Sequence, residues 1–176
     1  MAQDTATYAP TTEDYLNRRA EQLVLEGYRL LADPIDDMRD RSAPAALRFY
    51  QDKLGASAGA EAAAALERFM TSLNTCAFRP LVAYRAGSRF ISPDEVLLLG
   101  IVAGIQHWDE QIFRVCLTQL CPETSLIKVA ASAETFAATL RNLGVVLAPL
   151  PLSLRARITR QSETGLRASR ATKTLH

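Results

Sequence analysis

Apolar residues recur along most of this chain at intervals of three and four, the spacing that gathers side chains on one face of an α-helix. Between Thr11 and Asp33 the apolar set is Leu16, Ala20, Leu23, Val24, Gly27, Leu30 and Leu31. Arg18, Arg19, Gln22, Glu26 and Arg29 fall on the opposite, polar face. Thr11 caps this stretch, Glu13 and Asp14 put negative charge in its first turn, and Asp33-Pro34 stops it. A shorter helix is predicted from Ser42-Ala43-Pro44 to Gly55, with Leu47, Phe49, Tyr50 and Leu54 as its apolar set. A third runs from Ala60 to Asn74, turning Leu66, Phe69, Met70 and Leu73 inward. Pro80 suits the first position of another short helix, closed by Gly87.

The strongest local pattern lies between Ser92 and Cys121. Ser92 caps, Pro93 takes the first helical position, and Glu95 completes a capping box. The run Val96 to Ile105 is apolar on nearly every side, which predicts a helix buried all round. After a joint at Trp108, a second helix sets Ile112, Phe113, Cys116, Leu117 and Leu120 on one face and ends at Pro122. Leu126 to Val129 fits a short strand and a helix start equally well; Ser132 to Leu143 is predicted helical, with Gly144 as terminator. An apolar connector with Pro149 and Pro151 leads to a polar, Arg-rich end.

These elements predict an all-α protein: a single helical bundle of about six helices, a buried central helix at 93–106, and a basic C-terminal tail. The expected organisation is a flexible N-terminus over 1–10, a helical domain over 11–152 and a mobile tail over 153–176. Composition agrees, because Ala and Leu are abundant and β-branched Val and Ile sparse. Lysine occurs only at 53, 128 and 173 against many arginines, which with the alanine richness points to a GC-rich bacterial genome.

The net charge of +1 conceals an asymmetry. The segment 153–176 carries Arg155, Arg157, Arg160, Arg167, Arg170 and Lys173 against the single acid Glu163, so the rest of the chain is net acidic. The longest apolar run has ten residues, about half of what a membrane span needs, so no span is expected. Met1 to Pro10 lacks the basic-then-apolar order of a signal peptide, and three cysteines suit a reduced, cytoplasmic setting.

Little of the sequence carries catalytic chemistry. His107 and His176 are the only histidines, Cys116 and Cys121 project roughly 140° apart around a helix, and a Cys-x-x-Cys pair is missing. No metal, cofactor or catalytic residue is therefore predicted. Asp36, Asp37 and Asp40, interleaved with Arg39 and Arg41, read as a solvated loop. Gly100 and Gly104 mark a close helix crossing or an interface, and Trp108 an anchor at the helix junction. Arg79, Arg85 and Arg89, interleaved with Phe78, Tyr84 and Phe90, are candidate anion or nucleic-acid contacts, as are Arg155, Arg157 and Arg160. The expectation is a non-enzymatic regulatory or adaptor protein that binds a protein partner or forms a homodimer. A nucleic-acid-binding regulator using the tail and the Arg79–Arg89 segment is the alternative. A small-ligand binder or enzyme with a pocket near Trp108 is the third reading.

Overall fold

The computed structural model describes residues 12–32 and 45–160. The expected N-terminal segment 1–10, the acidic stretch at 36–41 and the chain beyond 160 lie outside the described residues. Among the described residues all regular structure is helical and no strand occurs. The elements are α1 (Thr12–Leu16), α2 (Arg19–Ala32), α3 (Ala45–Leu54), α4 (Ala56–Cys76), α5 (Pro93–Gln106), α6 (Glu110–Leu120), a 3₁₀ turn (Glu123–Ser125), α7 (Leu126–Asn142) and α8 over 152–160.

Helix α5 is the centre. The Ser92 side chain accepts the Glu95 backbone N–H at 3.1 Å, and the Glu95 carboxylate accepts the Ser92 N–H at 2.7 Å, closing the capping box. From Val96 to Gly104 every residue is buried. α5 packs against α6, α7 and α2, while α4 packs against α3 and α7. A Cβ placed on Gly100 would collide with Cys116 Sγ, and one on Gly104 would lie 2.9 Å from the Phe113 backbone nitrogen. Both glycines therefore serve the close crossing of α5 with α6 in the same chain, where a larger residue would force the helices apart.

Several boundaries differ from the sequence pattern. The first long helix breaks at Asn17–Arg18, separating α1 from α2. The ambiguous stretch from Leu126 is helical and simply begins α7. Pro80 to Gly87 forms no helix; side chains of α2 and α5 accept the Val82, Tyr84 and Gly87 N–H groups instead.

The C-terminal boundary also moves. Residues 145–151 form an irregular connector pinned by side chains from the body. Gln106 donates to the Val145 and Ala137 carbonyls at 3.0 and 3.2 Å and accepts the Leu147 N–H at 2.8 Å. Glu21 accepts the Ala148 N–H at 2.7 Å. The tail expected from 153 does not begin there, because 152–160 fold as α8, bury Leu154 and Ile158 in the core, and receive a 3.1 Å bond from Gln119 to the Ile158 carbonyl. Two apolar residues four apart face the core from this helix, whose three arginines stand among nine residues.

Candidate functional site

The loop 77–92 between α4 and α5 contains neither helix nor strand. Pro80 disfavours helical geometry at Arg79, and Gly87 sits at φ 78° in a turn. A loop of this length would ordinarily leave its backbone polar groups to water. Here charged side chains from α2 and from the first turn of α5 take six of them: the N–H groups of Val82, Tyr84, Gly87 and Ser92 and the carbonyls of Ser88 and Phe90.

Arg29 is the hub. It is only 2% exposed, although its place in the sequence pattern put it on the solvent face. Its Nε donates to Glu95 Oε1 at 2.7 Å and its Nη2 to Glu95 Oε2 at 3.2 Å. Nη1 reaches Glu26 Oε1 at 3.0 Å and the Ser88 carbonyl at 2.7 Å, and Nη2 also reaches the Phe90 carbonyl at 2.6 Å. All the donor positions of the guanidinium are thus engaged. Glu95 also accepts the Tyr84 and Ser92 N–H groups, at 3.1 and 2.7 Å, which fills its carboxylate. Glu26 Oε2 accepts the Gly87 N–H at 2.8 Å.

A second pair lies alongside. Arg79 grips Asp94 through two bonds of 2.7 Å, and Asp94 also accepts the Val82 N–H at 2.8 Å. Ser92 Oγ donates to the Val82 carbonyl at 2.6 Å. Burial alone would lower the affinity of Arg29 for its proton, but the bonds and charges of Glu95 and Glu26 outweigh it and raise it. Burial would raise the Asp94 carboxyl, but Arg79 and the Val82 N–H hold it below the usual range. Arg79 itself is held protonated chiefly by its hydrogen bonds to Asp94. It is therefore an ion-pair partner and not an open anion contact, as its position among aromatics had suggested.

What this clamp presents to solvent is apolar. Phe78 and Phe90 are each 64% exposed, Val82 55% and Tyr84 44%. The Tyr84 and Phe90 rings lie 6.1 Å apart, and the Arg89 guanidinium sits 5.8 Å over Phe90. Arg85 and Arg89 are exposed. The loop thus forms a hydrogen-bonded ledge of aromatic and aliphatic side chains bordered by two cations.

The other predicted arginines stand elsewhere. Arg155 pairs with Asp109 at 2.5 Å, at the far end of α5. Asp109 is held below the usual carboxyl range, first by the Ile112 N–H it caps and then by Arg155. Arg157 and Arg160 are exposed on α8. Since α5 is roughly 20 Å long, the arginine groups at 79–89 and 155–160 are not gathered into one site.

Trp108 does not anchor the α5–α6 joint by burial; it is 85% exposed. The backbone explains its position. Asp109 N–H bonds the Gly104 carbonyl at 2.8 Å and Trp108 N–H bonds the Ile105 carbonyl at 3.3 Å, the pattern of a Schellman helix end. Trp108 occupies the left-handed position of that motif, at φ 57°. The Arg141 guanidinium lies 5.7 Å over its ring and also bonds the Gln106 carbonyl. His107 Nε2 contacts the Leu147 carbonyl at 2.6 Å and so carries the proton on that nitrogen.

A separate groove of about 340 Å³ opens where the start of α2, the end of α3 and residues 143–146 meet. Its walls include Ala20, Leu23, Leu54 and Val145, and Arg19 and Lys53 line it as cations. Among the described residues, no three His, Cys, Asp or Glu side chains are placed to hold a metal ion. Burial pushes the Cys116 thiol up to about 12 and the Cys121 thiol up to about 11, so both stay protonated near neutral pH. Among the described residues no helix is long and apolar enough to cross a membrane.

No family model matches this chain, and no characterised protein or solved structure is significantly similar to it.

Proposed function

We propose that the protein is a non-enzymatic regulatory or adaptor module that binds a partner protein through the ledge at 78–90. The observation that carries this reading is the contrast between the two sides of the loop. Its inner side is fixed by buried, fully paired charges, while its outer side exposes Phe78, Val82, Tyr84 and Phe90. An exposed apolar cluster of this kind marks an interaction surface. Holding it rigid lowers the entropy lost on binding. Aromatic residues with a neighbouring arginine are the composition enriched at interface centres.

A photo-crosslinking residue in place of Tyr84, introduced in the native host, should capture a discrete protein. Adding Phe90→Asp should abolish the adduct, and a crosslinker at the exposed Glu134 of α7 should give none. Adducts insensitive to Phe90→Asp would refute the reading.

The exposed rings of Tyr84 and Phe90, tilted toward each other beside Arg85 and Arg89, also suit single-stranded nucleic acid. It is the weaker reading, because Arg79 and Arg155 are committed to Asp94 and Asp109. Electrophoretic shifts across a salt series separate the two, since nucleic-acid affinity would fall steeply with salt.

A further inference from the structure

The α5–α6 joint raises a question that the fold does not answer. α7 ends in the same Schellman pattern, with Gly144 N–H on the Arg141 carbonyl at 2.9 Å and Val145 N–H on the Leu140 carbonyl at 2.8 Å. There the left-handed position is filled by Gly144 at φ 75°, the residue that suffers no steric conflict. At the α5 end the equivalent position holds a tryptophan, a side chain that resists this backbone and buries only 15% of its surface here. Strain at an exposed aromatic points to a role outside the monomer's own packing.

The groove between α2, α3 and residues 143–146 supplies the complement. It is about 340 Å³ and walled by Ala20, Leu23, Leu54 and Val145, a space suited to an indole. Arg19 and Lys53 line it, and neither has a carboxylate partner among the described residues. Lys53 already sits 5.9 Å over the Phe49 ring, so its ammonium meets π-faces in this structure. Val146, half exposed, forms the lip.

The joint and the groove are tied together: Gln106, two residues before Trp108, donates to the carbonyl of Val145 in the groove wall at 3.0 Å. Arg141, stacked on Trp108, is the last basic residue of α7, and the chain passes directly from α7 into the groove wall at Leu143 to Val146. We propose that the protein forms a two-fold dimer in which Trp108 of each copy seats in the groove of the other. Adjacent, mutually complementary elements are what an isologous interface requires. Arg141 covers one face of the indole and leaves the other for Arg19 and Lys53 of the second copy. This proposal stands apart from the ledge at 78–90 and does not depend on it.

Trp108 is the only tryptophan, so tryptophan fluorescence reports the surroundings of this side chain alone. In a dilution series followed by sedimentation, the full chain should pass from dimer to monomer. Its emission should move to longer wavelength and acrylamide quenching should increase over the same range. Trp108→Gly should be monomeric throughout yet melt within a few degrees of the parent, since glycine suits the left-handed position. Val146→Asp, at a half-exposed site, should also be monomeric, with red emission and an unchanged helical spectrum. A chain that is monomeric at all concentrations overturns the proposal. So does a dimer whose tryptophan stays as open to quencher as in the monomer, or a Trp108→Gly variant that still dimerises.

Discussion

Glu21 lies on the inner face of α2 with one carboxylate oxygen accepting the Ala148 N–H and the other, Oε2, buried without a hydrogen-bond partner among the described residues. Burial is the main cause that raises its proton affinity above the ordinary value; the bond from Ala148 opposes this only in part. The linkage runs against the usual carboxylate trend. A raised folded-state value favours the neutral acid, so this residue detracts from stability as pH rises above the unfolded carboxyl range near ~4.3. Glu21→Gln keeps an acceptor for Ala148 and removes the buried charge. The variant should melt higher than the parent at neutral pH, and the gap should narrow as the pH approaches about 4.5. Thermal melts at the two pH values measure this; an equal gap at both would show that Glu21 is not the titrating group. Nothing local in the sequence marks Glu21 as buried, because its neighbours Arg18, Arg19 and Gln22 are polar and the Ala148 contact is 127 residues away. Trp108 was misplaced for a related reason. Ring size argued for burial, while its left-handed backbone depends on a hydrogen-bond pattern at a helix end with no glycine to signal it.

At the scale of elements, α5 was legible because its signals are contiguous: cap, proline, acid and apolar run lie within a few residues of one another. Leu98 is 1% exposed, and Leu98→Ala should cost about 2–5 kcal/mol, read as a fall in chemical-denaturation midpoint. The clamp on 77–92 was illegible because Arg29 and Glu95 are 66 residues apart and Arg29 follows the polar side of its helix pattern. Replacing Arg29 by Met leaves the buried Glu95 without its counter-charge, a loss of about 3–5 kcal/mol. The same change should expose 77–92 to limited proteolysis before the rest of the chain; cleavage elsewhere first would contradict the clamp. Asp94 makes the loop acid-sensitive. Its carboxyl is held below the usual range, so its pairing contributes stability above that range and is lost as pH falls through the lowered value. Amide exchange of the Val82 N–H should therefore accelerate below about pH 4 relative to that of α5, after correction for intrinsic rates.

Across the whole molecule the core extends further toward the C-terminus than composition indicated. Leu154 is fully buried and Ile158 is 1% exposed, joining the same apolar cluster as α5 and α7. A chain ending at Leu152 loses both side chains, about 1.5–3 kcal/mol of burial each, together with the Arg155–Asp109 pair. Against a typical total of about 5–15 kcal/mol, this should lower the melting temperature strongly or abolish cooperative unfolding. A chain ending at Arg160 should fold. Comparable melts for the two would refute the docking of α8.

The clamp also ties the ledge to the folded state. Arg29 and Glu95 are 66 residues apart, with α3 and α4 between them, so the contact is non-local and carries a high loop-closure entropy. Without the clamp, the carbonyl and amide groups of 77–92 that bond Arg29, Glu95 and Glu26 lose those partners. The ledge is therefore a feature of the folded chain, and under the proposed function a partner that recognises it would draw the population toward the native state by mass action. Substitutions far from the ledge that merely shift the folding equilibrium should weaken partner affinity in proportion to the clamped fraction, without altering a single contact at the interface.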